Sequence, residues 1–235
     1  MSWHIGASAK HDASSPAFCA IWLGIILVLW GRLVLAQNIT PNPNFDTQLS
    51  PWVQYQSSPP DPNGAGASAF LGTVDINNSP TSGSGRVTID TSQPAANAAS
   101  GIAQCVDFSS TSISLINYGI NVRVPSATTT DASINATLEM RLFSGAGCSG
   151  FIGGGTQGRT LIAGTGSDTT WYLLGDASFI PPGAPVTASS AQIRAYLRQV
   201  NGGAPSTSSY VVEFDAEHLV LNATTPVRLQ SFDVE

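Results

Sequence analysis

An arginine side chain donates through a planar fork that fits a carboxylate, a sulfate or two neighbouring sugar hydroxyls. In this 235-residue chain the arginines recur at a spacing of two beside other polar residues. The runs are Asn121 and Arg123, then Glu139 and Arg141, then Gln192, Arg194, Tyr196 and Arg198. A spacing of two places side chains on one face of an extended strand. If the three runs are neighbours in one sheet, they form a cationic strip in which Tyr196 can lie under a pyranose ring. On an ordinary solvated sheet face the same residues are cross-strand ion pairs, Arg against Glu. Both readings stay open at this level.

A sugar site also needs an exposed ring, because the C–H faces of sugars pack on aromatic side chains while polar neighbours take the hydroxyls. The candidates are Trp52, Tyr55, Trp171 and Tyr172. Trp52 is expected in the core. Trp171 and Tyr172 are adjacent, so one points inward and the other outward, and Tyr172 is the candidate binding ring. Catalysis is poorly provided for. Past residue 36 there are four glutamates, Glu139, Glu213, Glu217 and Glu235, whereas a glycosidase needs two carboxylates facing each other across a cleft. Glu139 beside Arg141 suits an ion pair better than a general acid. His218, flanked by Glu217, has no Gly-x-Ser-x-Gly elbow to serve. The chain reads as a non-enzyme.

The elements that must hold these side chains are strands. Asn135 to Phe143 puts Ala136, Leu138, Met140 and Leu142 on one face and Thr137, Glu139 and Arg141 on the other. Similar alternation runs through 118–124, 191–198, 86–90, 210–214 and 218–221, with less regular strands near 68–74, 102–108, 170–174 and 227–232. Turn-rich stretches separate them, among them Ser57 to Gly64, Asn77 to Pro80, Gly153 to Gly155 and Pro181 to Gly183. About ten strands without a helical period predict an antiparallel β-sandwich. Four Asn-x-Ser/Thr triplets, at Asn38, Asn77, Asn135 and Asn222, match the glycosylation pattern.

Residues 17–30 are apolar and uncharged, and the run resumes after Arg32 to end at Val34-Leu35-Ala36. This is the pattern of an export signal cleaved before Gln37, although residues 17–36 are also long enough to remain as a membrane anchor. The domain organisation is then a leader over 1–36, expected as an apolar helix, and a single β-domain over 37–235 lying outside the cytoplasm. With Lys10 and Arg32 in the leader, the domain keeps seven arginines and no lysine against fourteen acids, a net charge of −7. Such a surface excludes nucleic acid as a partner, and a membrane is a partner only if the leader is uncleaved. Oligomeric state is not legible. Cys105 and Cys148 are the only cysteines after the leader, and in an oxidising compartment two cysteines make one disulfide.

The order of several short motifs adds a likeness. Asn42-Pro-Asn-Phe45-Asp46 leading to Trp52, then Ser100 to Phe108, Tyr118 to Val124, Trp171, Pro181 to Ala184 and Val212 to Asp215 together resemble cellulase-C-type carbohydrate-binding modules. The resemblance covers nearly all of the chain after the leader. It implies a galactose-binding-like jelly roll that holds a polysaccharide without cleaving it. It also implies a structural calcium between Asp46 and Asp215. A cell-surface or matrix protein with the same sandwich and no sugar site is the alternative. An exposed Tyr196 or Tyr172 in an arginine-lined groove separates the two.

Overall fold

The computed structural model describes residues 37–57, 66–91, 98–125, 133–160, 170–200 and 209–222. The apolar leader and the strand expected at 227–232 lie outside them. The described residues form ten strands: β1 Val53–Gln56, β2 Gly66–Leu71, β3 Ser84–Asp90, β4 Ala99–Ile113, β5 Ile116–Arg123, β6 Ile134–Gly145, β7 Ser149–Thr160, β8 Tyr172–Phe179, β9 Val186–Gln199 and β10 Ser209–Leu221. They make two five-stranded antiparallel sheets, ordered β1-β4-β9-β6-β7 and β2-β3-β10-β5-β8. The fold is an antiparallel β-sandwich of jelly-roll type, as expected. Among the described residues no helix is long and apolar enough to cross a membrane.

The alternation in the sequence sets which face is buried. Ala136, Leu138, Met140 and Leu142 of β6 and Ile193, Ala195 and Leu197 of β9 meet Val87, Ile89, Ile120, Val122, Val212 and Phe214 of the other sheet. Each large apolar side chain buried this way contributes roughly 1.5–3 kcal/mol. Phe45 and Trp52 close one edge of the core, with ring centroids 5.5 Å apart, and the Trp52 indole donates to the Asn42 carbonyl at 3.3 Å. Trp52 is therefore a core residue. Ahead of it, residues 38–43 lie along β10: the Ile39 amide donates to Leu219 at 3.0 Å and the Glu217 amide to Pro43 at 2.8 Å.

Two expectations change. The runs 210–214 and 218–221 are one strand, β10, with a register shift between Asp215 and His218 and Ala216 at φ 47°. A bulge adds a residue on one strand, flips the alternation and breaks the sequence pattern in two. Gly153 to Gly155, read as a turn, lies inside β7. At Gly155 a Cβ would stand 2.6 Å from the Tyr118 hydroxyl and 2.9 Å from the Phe179 ring. This glycine marks a close approach of the two sheets, a role that composition does not distinguish from a turn.

Cys105 on β4 and Cys148 in the β6–β7 hairpin form the expected disulfide. The hairpin is further fixed by the Cys148 amide donating to the Ser190 hydroxyl at 3.1 Å, and by that hydroxyl donating to Gly145 at 2.6 Å.

Candidate functional site

Pairing of β6 with β9 decides which polar side chains meet. Glu139 lies opposite Arg194, Arg141 opposite Gln192, and Thr137 opposite Tyr196. On the other side of β9, the outward residues of β4 are Ala99, Gly101 and Ala103, opposite Arg198, Tyr196 and Arg194. These small side chains leave the face low. Tyr55 of β1, opposite Gly101, therefore reaches over β4 to Tyr196, with ring centroids 5.2 Å apart. The result is an open pocket of about 210 Å³ lined by Tyr55, Ser57, Glu139, Arg194, Tyr196 and Arg198.

The arginines in and beside this pocket are held in place. Arg194 donates to the Gln192 side chain at 2.8 Å and to Glu139 at 3.1 Å, and its guanidinium lies 4.8 Å from the centre of the Tyr55 ring. Arg141 lies 3.9 Å from Glu139 and stacks over Phe151 at 4.4 Å and Phe143 at 5.5 Å. Tyr196 is 6% exposed. Burial, followed by the nearby Glu139 carboxylate, pushes its phenol up to about 12, so it stays protonated at any ordinary pH.

Five of the residues singled out in the sequence thus share one sheet face: Glu139, Arg141, Arg194, Tyr196 and Arg198. Tyr196 is not the ring that a ligand meets first, because Tyr55 covers it. The half-buried Tyr55, one of the four candidate rings in the sequence, is the accessible one, and what sequence reasoning missed is its reach over β4 to Tyr196. The available signal was the Ala-x-Gly-x-Ala run of β4, which leaves room for a large side chain from the next strand.

Arg123 and Tyr172 do not join the strip, because β5 and β8 belong to the other sheet. Arg123 and Arg86 both bind Glu213, each with a 2.6 Å contact. Glu213 is fully buried and is neutralised by two arginines that are themselves partly exposed, so both are committed to this acid and not to a ligand. Trp171 packs under the Arg123 guanidinium at 5.4 Å, and Tyr172 packs against the core. Of the adjacent pair, Tyr172 is the inward one.

The calcium expectation does not fit the residues present. Asp46 is exposed, whereas Asp215 is fully buried and takes the amides of Ile76 at 2.8 Å and Ala216 at 2.6 Å. The acid that acts on Asp215 is Asp75. Burial, against those two amides, raises Asp215 to about 6, and Asp75 adds to the rise. Asp75 itself is spoken for: Asn77 and Ser79 amides reach one of its oxygens at 2.7 and 2.8 Å, and the Ser82 hydroxyl reaches the other at 2.5 Å. Burial raises its carboxyl, and these bonds outweigh that and hold it below the usual range. Carboxylate oxygens occupied by N–H and O–H donors are not a cation cage. Among the described residues no group of three metal-ligating side chains gathers.

One further acid is unusual. Glu217 is 2% exposed, and burial pushes its carboxyl up to about 8. The Thr40 hydroxyl lies beside it without reaching hydrogen-bond geometry. Glu217 is therefore largely protonated at neutral pH, under the segment that runs along β10.

No family model matches the sequence, and no curated protein matches it. Among solved structures, 78% of the chain is similar to the enzymatically active domain of tailspike protein 4 of bacteriophage CBA120, at 17% identity and a TM-score of 0.47; the chain spans 21% of that protein. The same share is similar to TmCBM61 in complex with β-1,4-galactotriose, at 12% identity and a TM-score of 0.44, over 97% of that module. A third similar structure is the CBM22-1-GH10 part of Clostridium thermocellum xylanase 10B complexed with xylohexaose. It matches 81% of this chain and 29% of that one, at 14% identity and a TM-score of 0.46.

Proposed function

We propose that this protein is an exported, non-catalytic carbohydrate-binding protein that holds a polysaccharide on the outward face of the sheet β1-β4-β9-β6-β7. One observation carries the reading: a half-exposed tyrosine, Tyr55, packs over β4 and is ringed by Glu139, Arg194 and Arg198 in an open pocket. A ring for the C–H face of a sugar, with directed polar groups around it, is what such a ligand requires. The pocket holds a single carboxylate, Glu139, bound to Arg194. Among the described residues its lining has no second carboxylate across the cleft of the kind that glycoside hydrolysis needs. Export is supported by the apolar run 17–36 and by a disulfide of the kind that persists in oxidising compartments. The membrane becomes a partner only if that run is retained.

Tyr55→Ala is the direct test. The variant is expected to lose retention in polysaccharide affinity gels while melting within a few degrees of the parent, since Tyr55 lies outside the core. Equal retention of parent and variant would sink the proposed site. A second reading, an extracellular structural protein without a sugar site, draws on Leu173 and Ile180, 63% and 65% exposed at the two ends of edge strand β8. It requires that no glycan be retained at all.

A further inference from the structure

Resting on the carbohydrate reading, we propose that the sugar bound at this pocket is acidic, carrying a carboxylate or a sulfate ester that is received by the arginines beside Tyr55. The charge balance of the face is the first ground. Arg141, Arg194 and Arg198 are three of the five arginines whose side chains are described, and all project from the same face of β6 and β9. Among the described residues Glu139 is the one acid between them. Asp107, farther along β4 beyond Cys105, is engaged by the Gly147 amide at 2.8 Å. The face is thus locally cationic in a chain of net charge −6.

The second ground is the balance of donors and acceptors. A neutral sugar offers hydroxyls that both give and take hydrogen bonds, so a site built for it mixes the two. An arginine has five N–H donors and no acceptor. The strongest acceptors here, one oxygen of Glu139 and the Gln192 amide oxygen beside the pocket, are engaged by Arg194, which leaves chiefly hydroxyls as acceptors in its lining. What remains is rich in donors, which suits a ligand group that only accepts, and carboxylates and sulfates are such groups.

The third ground is preorganisation. The Arg194 guanidinium is fixed by two side-chain bonds and the Tyr55 ring, and that of Arg141 by Phe151 and Phe143. Forks already held in one orientation lose little freedom on binding an anion. Bulk attraction is no substitute for these contacts, since an acidic protein is repelled by a polyanion as a whole.

The experiment is affinity electrophoresis of the full chain, kept in a polyoxyethylene detergent that carries no sugar. The gels contain polygalacturonate, the same polymer with its carboxyls reduced to alcohols, dextran sulfate, plain dextran, or a neutral β-glucan and xylan. Each is run at about 20 mM and about 300 mM NaCl, where screening lengths differ several-fold. The expected result is retention on an anionic polymer that falls about tenfold at the higher salt and is absent from its neutral counterpart. Whether polygalacturonate or dextran sulfate is the one retained identifies the group. Equal retention on charged and neutral forms, or retention on neutral glycans alone, overturns the acidic-sugar inference and leaves carbohydrate binding standing. Retention on none of the gels overturns both. Arg198→Gln, in the pocket lining, is expected to weaken anionic retention about tenfold, the loss of one charge-assisted contact, with an unchanged melting temperature. Arg194→Gln serves if that variant misfolds. Full retention by a folded variant of either kind moves the anion away from this face and overturns the assignment.

Discussion

Two neighbouring tyrosines illustrate how much a residue's identity leaves open. Tyr196 sits in the polar alternation of β9, and its outward direction was legible from spacing alone. Its 6% exposure was not, because that depends on Tyr55 arriving from β1, 141 residues away along the chain and two strands across the sheet. Arg123 shows the complementary error: its spacing matches the other arginines, but spacing says nothing about which sheet a strand joins. Glu217 carries the prediction at this scale. Its carboxyl is near 4.5 in the unfolded chain and about 8 in the folded one, so the folded state holds a proton over that interval that the unfolded state has released. Stability from this group is complete below about pH 4.5 and is lost as pH rises through 8. One pKa unit is about 1.4 kcal/mol, and 1 kcal/mol moves the melting point of a domain this size by about 2–4 °C. The protein is expected to melt several degrees lower at pH 8.5 than at pH 5.5, and Glu217→Gln is expected to remove most of that difference. Thermal melts of the pair across this range check it; parallel curves for parent and variant would show that Glu217 is not the source.

Among the elements, the strongly alternating strands β5, β6 and β9 were legible because each has one face in the core and one in solvent. The less legible ones failed for local reasons. β10 hid behind its bulge, and β7 hid behind three consecutive glycines that look like a turn. β1 is four residues long, too short for any period to register. The link between Cys105 and Cys148 ties β4 to the β6–β7 hairpin, over the end of β9 that lies between them in the sheet. Closing a loop of 43 residues is worth up to about 4 kcal/mol in the chain-entropy account. Replacing both cysteines by serine is expected to lower the urea midpoint accordingly, with the slope of the transition rising because the unfolded chain is less compact. A midpoint unchanged within error would show that the hairpin is held by the Ser190 bonds alone.

At the scale of the whole molecule, composition and turn spacing sufficed for an all-β sandwich, whereas the strand order had no signature in the sequence. Only the hairpins β2–β3 and β6–β7 join sequence neighbours within a sheet; the other connections pass from one sheet to the other. Most pairings are therefore distant along the chain, and folding of such topologies is slow. Refolding from urea with the disulfide intact is expected on a millisecond-to-second scale, and a microsecond phase carrying the full signal would contradict that. The position of β10 has a consequence for biosynthesis. It is the last of the ten strands to be made, yet it occupies the middle of its sheet, between β3 and β5. Until the ribosome has delivered Ser209 to Leu221, β2-β3 and β5-β8 are two separate ribbons with no common partner. The sheet β1-β4-β9-β6-β7 has all its strands once Gln199 is made, whereas its partner sheet cannot close before Leu221.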